Sequence, residues 1–160
     1  MNLSKSYEPR QYESTIYELW EQSNAFAPSG SGTPYSIVLP PPNANAGLHI
    51  GHTLMFAIQD TMVRYHRMKG ERVLWAPGAD HAGFETQVVY EKHLAKEGKS
   101  RFDFTRDELF TQIYDFVGQN RDAFETMFRT LGASVDWSRY TFTLDDSVVQ
   151  TIYQSFKKMW

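Results

Sequence analysis

The sequence predicts an α/β fold in which parallel strands are joined by a crossover helix and further helices follow. Three observations predict it. A short apolar run at Tyr35–Leu39, a long helix-period stretch and a second apolar run at Val73–Trp75 follow one another within about 40 residues, the spacing of a strand–helix–strand unit with parallel strands and a right-handed crossover. Hydrophobic residues make up 41% of the 160 and aromatic residues 15%, enough to bury a core of domain size. The two segments of least ordinary composition, Pro40–His52 and Pro77–Gly83, each follow one of the apolar runs. Open α/β sheets hold ligands beyond the carboxyl ends of their strands, so both segments lie where a ligand is expected.

The elements follow in order. Residues 10–24 read as a helix with Tyr12, Ile16, Leu19 and Trp20 on one face, and Pro28–Pro34 as a Ser- and Gly-rich loop. Tyr35–Leu39 reads as a first strand, stopped by Pro40, Pro41 and Pro42 because proline cannot donate to a ladder. Over Leu48–Lys69 the residues Leu54, Ile58, Met62, Tyr65 and Met68 recur at helical spacing, and Gly70 is placed to close that helix. Val73–Trp75 reads as the second strand and Glu85–Lys96 as a further helix. Thr105 opens the next helix, because Thr105 and Glu108 stand at the spacing at which two side chains satisfy each other's orphan amides. Its face is Leu109, Ile113, Phe116, Val117, Phe124, Met127, Phe128 and Leu131, with Gly132 after its end. Asp145 or Asp146 caps a last helix carrying Val149, Ile152, Tyr153, Phe156 and Trp160. Lys158–Trp160 keeps the helical period with no residue to stop it, so the sequence is expected to be part of a longer chain.

Composition excludes several classes. With 22% charged residues and a formal net charge of -3, neither disorder nor a broad nucleic-acid-binding field is indicated, and most contacts to an RNA would come from elsewhere. No apolar run approaches the roughly 18 residues of a membrane span, and Met1–Pro9 is polar. Cysteine is absent, which excludes disulfides and thiolate zinc sites and fits a reducing cytoplasm, the expected location.

His49 and His52 stand three apart at the start of the long helix, so both rings lie on one side of its first turn. That turn also offers unpaired backbone N–H groups and the positive end of the helix dipole. Imidazole donors there can hold phosphate oxygens and stabilise charge that grows during displacement at phosphorus. Gly47 and Gly51 allow a flat base or a ribose to approach closely. The alternative for the histidine pair is helix capping and core polarity, and the strand, prolines and asparagines before it favour the phosphate reading. Asp80 after Pro77–Gly78 has a turn-capping alternative, and Asn43 an Asx turn. His81 is read as a structural hydrogen-bonding residue, His66 and His93 as solvated, and Lys92, Lys96, Lys99 and Arg101 as a solvated helix end.

Three blocks carry a resemblance. Pro40–Asn43 followed by Gly47–His52 is similar to the H-x-G-H motif of class I aminoacyl-tRNA synthetases with its proline–asparagine lead-in. Trp75–Gly83 resembles the second block of the valine-type members of that family, and Leu131–Arg139 a third. Ala44–Asn45 resembles isoleucine-type members instead, and Ala79 stands where threonine is usual. The resemblance covers nearly the whole chain. It implies residues 1–160 as the first half of a Rossmann-like nucleotide-binding domain, with 1–27 a helical extension. The phosphate-holding loop of the other half, an editing domain and an anticodon-binding domain have no counterpart in these residues.

By the same resemblance the activity is ATP-dependent activation of valine and its attachment to tRNA, with magnesium accompanying ATP. His49 and His52 are the catalytic pair facing the phosphates, and Asn43, Gly47 and Gly51 complete the ATP site, with Gly51 beneath the adenine. Pro40, Pro41, Asn43 and Asp80 bind the amino acid, Asp80 taking its ammonium by a charge-assisted hydrogen bond. No protein metal site is expected, and the partners are ATP, valine, tRNA and the remainder of a synthetase. The alternatives are an isoleucine-type synthetase, a stand-alone nucleotidyltransferase with the same motif, a hydrolase using His49, His52 and Asp80 or His81 as metal ligands, and a non-catalytic remnant.

Overall fold

The structure is a computed structural model and describes residues 6–160. In chain order it has α1 (Pro9–Gln22), β1 (Pro34–Ser36), α2 (Ile50–Met68), β2 (Arg72–Leu74), β3 (Gly78–Ala79), α3 (Gly83–Lys96), α4 (Arg106–Thr130), β4 (Thr141–Phe142) and α5 (Asp146–Met159). β1 and β2 pair in parallel with Tyr35 opposite Val73, and α2 is the connection between them. β3 and β4 form a second parallel pair. The architecture is mixed α/β with short parallel strands.

Segment 72–80 is the middle of this arrangement, and residue parity shows how. Alternate backbone groups of an extended strand point to opposite edges. The even residues Arg72 and Asp80 bond to the 33–44 segment: Arg72 N–H donates to Thr33 O at 3.0 Å, and Asp80 N–H to Pro42 O at 2.8 Å. The odd residues accept from the 136–143 segment: Trp75 O from Asp136 N–H at 2.9 Å, Pro77 O from Thr141 N–H at 3.3 Å, and Ala79 O from Thr143 N–H at 3.2 Å. The first motif-bearing loop and the 136–143 segment are therefore tied to one strand-like segment from either side, and that segment itself runs into the second loop.

The core lies between that segment, α2 and α4. Phe56 meets Phe128 edge-on with centroids 4.3 Å apart, Phe124 packs on Phe128, and Trp75, Val63 and Val135 are fully buried around them. α1 docks on the far side through Tyr17, whose hydroxyl donates to Ala133 O at 2.7 Å and accepts from Trp137 Nε1 at 2.8 Å.

Several sequence expectations need correction. On α1 the buried residue is Tyr17, whereas Tyr12, Ile16 and Leu19 are exposed. On α2 the stripe Leu54, Ile58, Met62, Tyr65 and Met68 is exposed, and the buried face is Phe56 and Val63. α2 is apolar on two sides, and the spacing rule found the more exposed of them. The first strand stops at Ser36, where its partner reaches Leu74, although Leu39 is still buried. The second spans Arg72–Leu74 and leaves out Trp75. His66 is not solvated: it stacks on Tyr35 with centroids 3.5 Å apart, and its Nδ1 lies 2.5 Å from Glu71. β3 and β4 carry no alternating pattern long enough to have been read.

Other expectations agree with the structure. Thr105 and Glu108 form the reciprocal cap of α4, and Gly70 and Gly132 take left-handed φ values of 80° and 70° after α2 and α4. Asp145 is the N-cap residue of α5, but its carboxylate accepts from Phe142 N–H at 2.8 Å instead of from the helix. Lys99 and Arg101 pair with Glu97 and Glu91.

Candidate functional site

The loop between β1 and α2 is held open by its backbone. Pro42 is buried, Ala44 N–H donates to Asp80 O at 2.7 Å, and Asn43 bridges Asp80 in parallel fashion. Three prolines limit how the loop can collapse, since their φ is fixed and they offer no N–H. A cavity of about 480 Å³ results, lined by Pro40, Pro41, Pro42, Asn43, Asn45, Ala46, Gly47, Leu48, His49, His52, Met55 and Phe124. That volume is in the range of small-molecule sites.

The two histidines make a cap with each other. His49 Nδ1 accepts from Gly51 N–H at 3.1 Å, and His52 Nδ1 accepts from His49 N–H at 3.3 Å. Their rings stack with centroids 3.8 Å apart, and His52 stacks in turn on buried Phe56. The capping and phosphate readings are compatible, and one implies the other's chemistry. A neutral imidazole accepts at one nitrogen and donates at the other. With Nδ1 accepting in both rings, each carries its proton on Nε2. Burial, and then the proximity of the His49 imidazole, lower the His52 pKa from its ordinary value, which favours this neutral donor form. Two N–H donors therefore stand on rings that line the cavity, at a helix N-terminus.

The glycines make room for protein. A Cβ on Gly51 would come within 2.9 Å of His49 Cε1, so this glycine permits the histidine's capping pose. A Cβ on Gly47 would lie 3.1 Å from Met127 Cε, and Leu48 N–H donates to Met127 Sδ at 3.4 Å. Met127 and Phe124 thus bring α4 to the site, which no motif spacing revealed. Phe124 and Met127 were legible only as apolar residues of a helix face.

The second loop is shaped by strain and by close approach. A Cβ on Gly78 would meet Thr141 O at 2.9 Å. Ala82 has a φ of 53°, a left-handed value that costs an L-residue roughly 1–2 kcal/mol and that tends to persist at functional sites. Asp80 Oδ1 accepts from Ala82 N–H at 3.1 Å, holding that turn.

Of the predicted site residues, Pro40, Pro41, Asn43, Gly47, His49 and His52 line one cavity. Gly51 sits under the His49 ring, and Asp80 lies across the backbone bridge, outside the lining. Among the described residues no three of His, Cys, Asp and Glu converge to hold a metal ion. No helix among them is long and apolar enough to cross a membrane.

The third block joins this site to the rest of the chain. Ser134, fully buried, bonds through its hydroxyl and its N–H to the Asp60 carboxylate of α2. Arg67 Nη1 donates to Ser134 Oγ at 2.5 Å, and Arg64 Nη2 to Gly132 O at 2.6 Å. Asp136, also buried, accepts from Ser138 and Arg139.

A histidine-capped helix behind a parallel strand, a proline-walled cavity and a buried third segment that braces the helix all fall within one family's boundaries. Residues 15–160 match the model described as tRNA synthetases class I (I, L, M and V), and the chain belongs to that family. Within it, the chain is 44% identical over 161 residues to a valine–tRNA ligase of Petrotoga mobilis, covering 100% of this chain and 18% of that protein. It is 41% identical to one of Stenotrophomonas maltophilia, covering 99% of this chain and 17% of that protein. The chain thus spans less than a fifth of the length of these relatives. In fold it is similar to the leucyl enzyme in a LeuRS–tRNA–LeuAMS ternary complex from Agrobacterium radiobacter K84, with a TM-score of 0.74, 21% identity, and coverage of 96% of this chain and 18% of that one.

Proposed function

We propose that this chain supplies the ATP-binding and amino-acid-binding part of a valine–tRNA ligase, built on the first half of a Rossmann-like domain. The valine carboxylate attacks the α-phosphate of ATP and pyrophosphate leaves as the α–β phosphoanhydride bond breaks. A ribose hydroxyl of the terminal adenosine of tRNA then takes the acyl group from valyl-adenylate, losing its proton as the acyl–phosphate bond breaks and AMP leaves. Little covalent work falls to the protein, so position and charge stabilisation set the rate.

The observation that carries this reading is the reciprocal histidine cap. Because His49 and His52 both accept at Nδ1, both have Nε2–H donors for phosphate oxygens. In the cavity lining Pro40 and Pro41 form a rigid wall against the amino-acid side chain and Asn43 offers a carbonyl acceptor. Asp80, bridged to Asn43 outside that lining, offers a carboxylate for the ammonium. The cavity lining contains no carboxylate, so magnesium would be held by the phosphates and water. Ala44–Asn45 raised an isoleucine-type alternative. Ala44 is buried, and its backbone N–H bonds to Asp80 O, a contact that does not depend on its side chain. The relatives named above are valine ligases, which favours valine. The family's cytoplasmic site of action is part of the same proposal.

The test is amino-acid-dependent exchange of pyrophosphate into ATP, run on this chain and on a chain extended to the length of its relatives. The extended chain is expected to exchange with valine well above isoleucine, and the 160-residue chain to show little exchange. Equal exchange rates and equal valine selectivity in both would contradict the division of the site between two halves.

A further inference from the structure

Thr143, one residue beyond β4, lies against the second loop although 62 and 63 residues separate it from His81 and Asp80. Its N–H donates to Ala79 O, which fixes its backbone beside β3. Three polar groups meet its hydroxyl. His81 N–H lies 2.9 Å from Oγ1, His81 Nδ1 2.6 Å, and Asp80 Oδ1 3.1 Å.

A hydroxyl has one proton to give and two lone pairs to accept with. The backbone N–H of His81 only donates, and an ionised carboxylate only accepts. The hydroxyl proton therefore goes to Asp80, and His81 Nδ1 must donate. Were the proton given to Nδ1 instead, two oxygens would face each other at 3.1 Å with no hydrogen between them. His81 is thus held with its proton on Nδ1, opposite to His49 and His52. Thr86, buried, secures the same residue by donating its hydroxyl to His81 O at 2.6 Å.

The same hydroxyl turns the Asp80 carboxylate. Thr143 Oγ1, Ala82 N–H and the nearer nitrogen of His81 all lie against Oδ1. Among the described residues no polar contact falls on Oδ2, and the side chain is 38% exposed, so that oxygen is open to a ligand cation.

We infer that Thr143 is a positioning residue that sets the tautomer of His81 and directs Asp80 Oδ2 toward the ammonium of the amino-acid substrate. The second half of this statement rests on the proposed role of Asp80, and the first half does not.

Nitrogen NMR of the histidine rings in the intact chain tests it, comparing wild type with Thr143→Val and Thr143→Ser. Valine matches threonine in shape and serine restores the hydroxyl, while the amide signals of buried Val135 and Trp75 report the fold. Wild type and T143S should show a protonated Nδ1 and an unprotonated Nε2 at His81, and T143V should lose that preference. Titration of valine, read at the Asp80 carboxylate carbon, should be weakened on the order of tenfold by T143V, as for a lost hydrogen bond to a charged group, with ATP affinity unchanged. A wild-type His81 protonated at Nε2, or a tautomer indifferent to T143V, overturns the inference about Thr143. A tautomer that responds as described, with no valine effect at wild-type Asp80, supports that inference and overturns the ammonium role of Asp80 alone.

Discussion

At position 52 one ring caps the helix and, in the proposed function, also donates to phosphate, and the two can be separated by measurement. His52 Nδ1 accepts from the His49 backbone while Nε2–H is left as a donor. In a full-length enzyme, His52→Ala should slow adenylate formation by roughly 10²–10³, the usual cost of one charge-stabilising donor, with valine binding changed far less. A loss that appeared wholly as a raised valine KM would contradict the phosphate role. Acid should disrupt the cap, because a protonated ring can no longer accept at Nδ1. The folded-state pKa of His52 is lowered by burial and by His49, so the unfolded chain binds the proton more readily. The stability it contributes is complete above the ordinary histidine value of 6.5 and is lost as pH falls through the lowered folded value. An NMR titration of His52 should give a midpoint below 6.5, and a midpoint at or above it would contradict the desolvated, paired placement. The histidine pair and its glycines were legible in the sequence because residue type and spacing carry that chemistry. That Gly51 accommodates the His49 ring was not, since a rotamer has no signature in spacing.

Among the elements, α2 shows how far periodicity reaches. Its apolar stripe from Leu54 to Met68 is real and is exposed, while its inner face is Phe56 and Val63 together with polar Asp60. A helix that is apolar on two sides offers two equally regular stripes, and the sequence cannot say which one meets the sheet. Caps were more legible, as at Thr105 and Gly132, because they depend on residues close in sequence. The polar brace between α2 and the third block was invisible for the opposite reason: Asp60 and Ser134 are 74 residues apart. Removing that brace leaves Ser134 buried with a lost acceptor. Asp60→Ala should therefore destabilise the chain by about 2–3 kcal/mol, the range for hydrogen bonds to a charged group and the penalty of an orphaned one. Urea unfolding checks this, and a loss below about 0.5 kcal/mol, typical of a surface change, would show the network to be incidental.

For the whole molecule, two apolar faces are left without a partner among the described residues: Leu54, Ile58 and Met62 on α2, and Ile152, Phe156 and Trp160 on α5. Exposed apolar surface of this extent promotes association. The chain should self-associate in sedimentation at rising concentration, and Ile152→Glu with Phe156→Glu should reduce it. A wild-type chain that remained monomeric throughout would contradict this. The α/β class and the parallel first pair were legible from alternation of apolar runs. The β3–β4 pair was not, because two-residue strands have no period to detect.

Two cavities are alternatives for the proposed ATP site. The larger, about 570 Å³, lies between α1 and α4 and is lined by Glu13, Glu18 and Glu21 against Arg10 and Arg129, with Arg129 paired to Glu21, so the balance of charge there is acidic and disfavours a polyphosphate. The smaller is the proline-walled cavity at the histidine cap. Chemical-shift mapping of the 160-residue chain with ATP distinguishes them most directly. The account predicts shifts concentrated at Asn43–His52, Met55 and Phe124. Shifts concentrated instead at Arg10–Glu21 and Thr126–Thr130, with the His49 and His52 signals unmoved, would contradict it.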